Sequence, residues 1–487
     1  GTNTFSIENL PPTTNSNWSI DGNNSGSVNG IGFQNFSNLI GYALDDTFSF
    51  INSGNITGNI DGAAGQDTLD YSSFSGPVTV ELETPLATGL GAFNSIETLI
   101  GSGNNDELKG SINDETFNIS GPNAGSINGT IEFSSFERLD GQAGQDTLNN
   151  SSYTSPDSAN LAGSSFDDLF QLLPHCCGSI NGTIDFSSFE GFDGLSGQNT
   201  LSLDSLTTTT LNAFDIDGNN SGSINGQAFN NFANLIGSAQ DDSFNFINSG
   251  NLSGAIDGAG GQDSFDYSAF TGPISINLTN SIASGVNSFN SIESFTGSSS
   301  NNDTLLGANT DETFELASTN SGSINGTLTF NDIEVLDGQG GSNTFSIETL
   351  THSTSGNWVI DGNNSGSVNG IGFNNFTNLV GNTLDDTFNV ANSGNLSGNI
   401  DGAGGNNTLN YSAFTNSVTI DLQTPSASGI ASFNGITTFI GSSNTDTLRS
   451  TNNDETFFID GPNAGNIDGA INFTCFESLD AQAGNQD

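Results

Sequence analysis

One phrase returns ten times along the chain. It reads Phe-x-x-(Phe or Ile)-x-x-(Leu or Phe), and it opens at Phe33, Phe93, Phe133, Phe186, Phe229, Phe289, Phe330, Phe373, Phe433 and Phe473. The gaps between openings are 60, 40, 53, 43, 60, 41, 43, 60 and 40 residues. Nested periods of this kind belong to stacked architectures, in which one unit cannot bury its own apolar face and its neighbours cover it. Whatever the chain does is then something that a regular stack of coils can do.

A longer period contains the shorter ones. Asn3-Thr4-Phe5-Ser6-Ile7 returns as Asn199-Thr200-Leu201-Ser202-Leu203 and as Asn343-Thr344-Phe345-Ser346-Ile347. Ile20-Asp21-Gly22-Asn23-Asn24-Ser25-Gly26 recurs from Ile216 and from Ile360. Three repeats follow: 1–198, 199–342 and 343–487, the first enlarged by an internal duplication over about 149–198. The last repeat stops about where a fourth would start, which leaves two expectations: continuation of a longer array, or subunits that join end to end into a homopolymer.

Within each section apolar residues sit nine apart across a turn rich in glycine and acid. Leu39 to Phe48, Ile60 to Leu69, Leu139 to Leu148 and Leu379 to Phe388 keep that step. Segments such as Thr47-Phe48-Ser49-Phe50 alternate with period two, as strands do. Gly, Asn, Ser, Thr and Asp crowd every segment and leave no helical stripe. Gly and Asn supply the positive-φ positions that sharp turns need. The expected fold is all-β, a parallel β-solenoid. A coil of roughly 20 residues predicts about 24 coils and, at strand spacing near 4.8 Å, a body on the order of 115 Å long. Phe makes up 37 of the 44 aromatic residues, which suits a dry core ladder because a benzyl group needs no polar partner.

Charge narrows the function classes. There are 54 acids against Lys109, Arg138 and Arg449, a net charge of −51. Three dispersed cations build no nucleic-acid surface, and no apolar run is long enough to span a bilayer as a helix. Catalysis needs a singular constellation in a cleft, whereas the reactive groups here are repeated, so no enzyme is expected, and a β-helix polysaccharide-degrading enzyme is the lesser alternative. His175-Cys176-Cys177 lacks the spaced partners of a zinc site. Cys176, Cys177 and Cys475 make no disulfide framework; small buried fillers and a covalent link between subunits are the two readings. The remaining classes are an extracellular or cell-surface structural protein, with self-association, and a surface for cell-surface or glycan partners.

The glycine turns resemble the Gly-Gly-x-Gly-x-Asp-x-(large apolar)-x nonapeptide of the RTX calcium-binding β-roll proteins. The nearest matches are Gly62-Ala63-Ala64-Gly65-Gln66-Asp67-Thr68-Leu69, Gly141-Gln142-Ala143-Gly144-Gln145-Asp146-Thr147-Leu148 and Gly258-Ala259-Gly260-Gly261-Gln262-Asp263-Ser264-Phe265. More broadly the chain is similar to the Gly/Asn/Asp-rich repeat regions of large secreted bacterial adhesins. The resemblance implies calcium held between coils by Asp46, Asp67, Asp106, Asp146, Asp242, Asp263, Asp386 and Asp446, and a role as adhesin stalk or surface fibre. The chain departs from the family pattern in two ways. The nonapeptides come singly or in pairs, and Asn199, Asn343 and Asn407 stand where the family has the acid. Exchange of Asp with Asn favours a second reading, in which the side chain caps its own turn.

Overall fold

The computed structural model describes residues 2–482 except 8–14, 122, 145, 150–168, 174–176, 181–183, 188–190, 195–197, 205–210 and 351–353. Every described element is a β-strand. By contacts the chain divides into two units, residues 1–242 with 250–261, and residues 243–249 with 262–487. Each unit is a β-solenoid in which the chain alternates between two sheets.

In the first unit, Thr4–Ser6, Asn38–Ile40, Ile56–Asp61 and Leu90–Asn94 stack in parallel as part of one sheet. Asn17–Gly22, Thr47–Phe50, Thr68–Asp70 and Thr98–Ile100 stack in the other. The second unit repeats the plan, for example with Thr313–Ser318, Thr344–Ser346 and Asn378–Val380. The nine-residue step is therefore a crossing of the core. Leu39 lies in one sheet and Phe48 in the other, and their stacking partners are Ile60 and Leu69, 21 residues further on.

The Phe phrase marks a feature that its spacing alone does not reveal. Each of its ten openings falls on the last strand of a three-stranded antiparallel meander, such as Asn17–Gly22, Ser25–Val28 and Ile31–Gln34. The next two apolar positions of the phrase carry the chain across the core. Phe133 on Ile131–Ser134, Phe136 at the crossing and Leu139 on Arg138–Asp140 are each at most 3% exposed. Meanders lengthen the coil. A plain turn such as Leu39 to Ile60 takes 21 residues, but Leu99 to Phe133 takes 34 and Leu139 to Phe186 takes 47. The expectation of about 24 coils is too high for this reason, and the stack has well short of 24 turns.

Local chemistry explains the meanders. Their hairpins turn on Asn29-Gly30, Asn225-Gly226, Asn325-Gly326 and Asn369-Gly370, with both residues at positive φ, the type I′ geometry that matches strand twist. The Asn side chain also closes the hairpin, since Asn29 Oδ1 accepts the N–H of Asn17 at 3.0 Å. Where the middle strand is four residues long it carries a glycine opposite the phrase's Phe, as in Gly26 against Phe33. A β-carbon there would meet Ser19 O at 1.9 Å and the tip of the Phe33 ring at 3.0 Å. The absent side chain lets the ring lie flat over the backbone.

Alternation along the strands fills the space between the sheets. In Thr47–Phe50 the two Phe residues are fully buried and their neighbours half-exposed. Rings stack from coil to coil: Trp18 on Phe48 at 5.4 Å, and Phe50 on Tyr71 at 4.5 Å with planes 10° apart. Trp358 on Phe388 and Phe246 on Tyr267 repeat this in the second unit. Each such side chain stabilises the fold by about 1.5–3 kcal/mol relative to exposure, and offset ring pairs add roughly 0.5–1.5 kcal/mol.

Candidate functional site

All eight aspartates singled out in the sequence are buried, none more than 2% exposed. Each sits at the foot of a glycine turn, immediately before or at the start of a core strand, and the turn folds back over its carboxylate.

Asp46 shows the pattern. Its Oδ2 accepts the N–H of Tyr42, four residues back, at 2.5 Å. Its Oδ1 accepts the N–H of Ser16 on the preceding coil at 2.8 Å. Asp46 then donates its own N–H to Oδ1 of Asp67 at 2.7 Å, and Asp67 donates its N–H to Oε2 of Glu97 at 2.9 Å. The acids thus form a ladder in which each side chain caps the backbone of the coil before it.

The other positions repeat this. Asp386 accepts N–H groups from Asn382 at 2.7 Å and Gly356 at 2.5 Å. Asp242 accepts from Ser238 N–H at 2.5 Å and from Asn212 Nδ2 at 2.7 Å. Asp106 is bonded by the N–H groups of Ser102 and of Val78, the latter at 2.6 Å. Asp446 takes Ser442 N–H at 2.5 Å and Val418 N–H at 2.6 Å. Asp146 Oδ1 accepts Glu115 N–H at 2.9 Å, and Asp263 donates its N–H to Glu293 at 2.9 Å.

Sequence reading missed part of the ladder. Asp303 belongs to it, with N–H donors from Ile274 at 2.8 Å and Ser298 at 2.7 Å. One extra residue in Gly297-Ser298-Ser299-Ser300-Asn301-Asn302-Asp303 shifts it out of the common spacing. Glu312 and Glu115 do the same work with a longer side chain, accepting from Ala308 and Ser111. A third set, Glu97, Glu137, Glu334 and Glu477, directly follows the second apolar residue of the Phe phrase. Glu137, Glu334 and Glu477 accept the N–H of Asp106, Asp303 and Asp446, and each is also held by an Asn side chain, Asn123, Asn320 or Asn463. That fixed offset from the Phe phrase was the available signal.

Burial sets the electrostatics. It pushes the carboxyls of Glu312, Glu334 and Asp386 above the ordinary carboxylate range, against the stabilising N–H donors. Asp67 is pushed up to about 7, by burial first and by the neighbouring charges of Asp46, Glu97 and Asp45. Among the described residues, no three His, Cys, Asp or Glu side chains converge on one point. The eight aspartates are instead distributed singly along the coils.

The three cations lie on outer faces. Glu107 bridges Lys109 at 3.6 Å and Arg138 at 2.9 Å, and Arg449 reaches Asp480 at 3.6 Å. Cys475 is exposed, at a left-handed φ of 59°, so it is no buried filler. His175 and Cys176 lie outside the described residues, and of Cys177 only its strand, Cys177–Ile180, is described.

Compared with known proteins, the chain matches no family model and no curated relative.

Proposed function

We propose that this chain is a non-catalytic, extracellular structural protein, a piece of a surface fibre or adhesin stalk whose coils stack on further coils of the same kind. One observation carries the reading. In the last described coil, Ile459 is 61%, Phe458 53% and Leu479 36% exposed. Ile119 and Leu139, which hold the places of Ile459 and Leu479 in the first repeat, are fully buried. In the first repeat Phe117 pairs with Leu148 on the next coil, in strand Thr147–Asn149. The strand Phe457–Gly461 has a hairpin partner on one side, Ala464–Ile467, and presents an apolar face that a further coil fits. A second copy of this chain that stacks a coil there extends the solenoid.

Two further features support the reading. The buried acids are committed to backbone amides in all three repeats, which is an architectural use of charge. A net charge of −51 keeps such stacks soluble and apart sideways.

Electron microscopy and sedimentation of the purified chain test it, alongside Ile459→Asp. The reading expects concentration-dependent threads from the wild type and only short particles from the variant. Wild-type chain that stays monomeric at every concentration, and does not bind a fragment covering repeat 1, would overturn it.

A further inference from the structure

Asn407 uses both ends of its amide. Its Oδ1 accepts the N–H of Asp386 at 2.8 Å. Its Nδ2 donates to three carbonyl oxygens, of Gly402 at 2.8 Å, Gly404 at 2.9 Å and Gly435 at 2.9 Å. Asn343 meets the carbonyls of Gly338, Gly340 and Asn375 in the same way. The slot is a ring of acceptors that requires a donor at its centre.

Asp67 occupies that slot in the first repeat. Gly62-Ala63-Ala64-Gly65-Gln66-Asp67 aligns with Gly402-Ala403-Gly404-Gly405-Asn406-Asn407, and Ser95 with Gly435. Its Oδ1 accepts Asp46 N–H at 2.7 Å, as Asn407 Oδ1 accepts Asp386 N–H. The second oxygen lies where the amide nitrogen lies in the Asn copy. A β-carbon built on Gly62 is 2.5 Å from Asp67 Oδ2 and 2.1 Å from Ser95 O. One built on Gly402 is 2.5 Å from Asn407 Nδ2 and 2.6 Å from Gly435 O. Asp67 is fully buried, and Oδ2 has no hydrogen-bond partner. A buried, ionised oxygen facing carbonyl oxygens is strongly unfavourable.

We propose that Asp67 is a proton-binding site in the folded chain: Oδ2 carries a hydrogen that it donates into the carbonyl ring of Gly62, Ala64 and Ser95, and this proton locks the coil. The Asn copies hold their donor 2.8–2.9 Å from the carbonyls in Asn407, a gap that takes a hydrogen atom. Calcium keeps about 2.3–2.6 Å from every ligand oxygen and needs a wider cage. The charged groups facing Asp67 are Asp46 on the coil before, Glu97 on the coil after and Asp45 in the turn, all acids. Where the slot holds Asn407, the place of Glu97 is taken by Thr437, so the acid pair is replaced as a pair. Burial raises the Asp67 carboxyl to about 7, which is consistent with a proton held at neutral pH.

The direction of the pH effect follows. A carboxyl raised in the folded state contributes stability that is complete below its unfolded pKa, near 4, and is lost as pH rises through its folded value. The lock is closed in mild acid and loosened in mild alkali.

The test compares wild type with Asp67→Asn by urea unfolding from pH 4.5 to 8.5, in EDTA at fixed ionic strength and then with calcium chloride. Asn already works in this slot elsewhere in the chain, so the variant folds. The expected result is a wild-type midpoint that drops through pH 7 and a variant whose midpoint drops less. An infrared difference between the two should show a protonated-carboxyl band at pH 6 that fades above pH 8, and Glu97→Gln should move its disappearance to lower pH. Parallel pH profiles with no acid band at pH 6 would overturn the proposal. So would calcium restoring the wild type at pH 8 to the level of the variant, which makes the slot a metal site.

Discussion

Asn407 Oδ1 accepts the backbone N–H of Asp386 at 2.8 Å, across 21 residues of sequence and one coil of the stack. The bond joins neighbouring coils through side chain to backbone, at a point where the backbone leaves the sheet and has no ladder partner. Unpaired amides at such places cost free energy unless something caps them. The repeated acids and amides of the turns are those caps.

Replacing Asp386 by Ala strips the acceptor from the N–H groups of Gly356 and Asn382 at once. Two buried amides left unsatisfied should cost about 2–4 kcal/mol. Asp386→Asn keeps an acceptor and should lose about half as much. Urea midpoints at constant m-value measure both.

Gly26 and Gly30 sit four residues apart in one hairpin and should respond differently to alanine. A β-carbon at Gly26 has no space, while at Gly30 nothing lies within 4 Å and only the φ of +83° resists. Gly26→Ala should cost about 3 kcal/mol by overpacking. Gly30→Ala should cost about 1–2 kcal/mol, the strain of a left-handed residue. Thermal melts that rank the two the other way would contradict the packing of Phe33 over Gly26.

Burial raises the phenol groups of Tyr71, Tyr267 and Tyr411 above the ordinary tyrosine range. Tyr267 and Tyr411 donate to Ser284 O at 2.7 Å and Ser428 O at 2.8 Å. The folded state holds these protons more tightly than the unfolded chain, so this stability is complete below about pH 10 and is lost above it. In an alkaline absorbance titration the three should ionise only together with unfolding.

Trypsin has Lys109, Arg138 and Arg449 to act on, and all three lie within strands Glu107–Lys109, Arg138–Asp140 and Thr447–Arg449. Paired strands do not enter a protease cleft, so the folded protein should survive trypsin and be cut only after unfolding. Gel analysis in rising urea should show cleavage appearing with the unfolding transition.

Much of this architecture was legible in the chain. Alternation in Thr47-Phe48-Ser49-Phe50, Gly and Asn at the turns and the nine-residue step gave the parallel β-solenoid. The meanders were not legible, because Ser25–Val28 is a short strand of small residues with almost no apolar period. Missing them made the coil too short and the coil count too high. Exchange of Asp67 for Asn407 at one slot pointed to capping, and the structure places both as caps. What sequence did not reveal is that the two are unequal: an amide brings its own donor to the carbonyl ring and a carboxylate does not. Glu97 and its counterparts were passed over because their role depends on which coil lies above them, a relation set by the 30-residue stacking offset.

The register itself is the central claim, and cysteine pairing reads it most directly. Thr47 and Thr68 are stacking partners on the outer face of neighbouring parallel strands, about 4.8 Å apart, within the range a disulfide bridges. In a background with Cys176, Cys177 and Cys475 replaced by serine, Thr47→Cys with Thr68→Cys should oxidise readily and leave the fold intact, while Thr47→Cys with Asp70→Cys should stay reduced. A bridge in the second pair and none in the first would show that the coils do not stack at a 21-residue step.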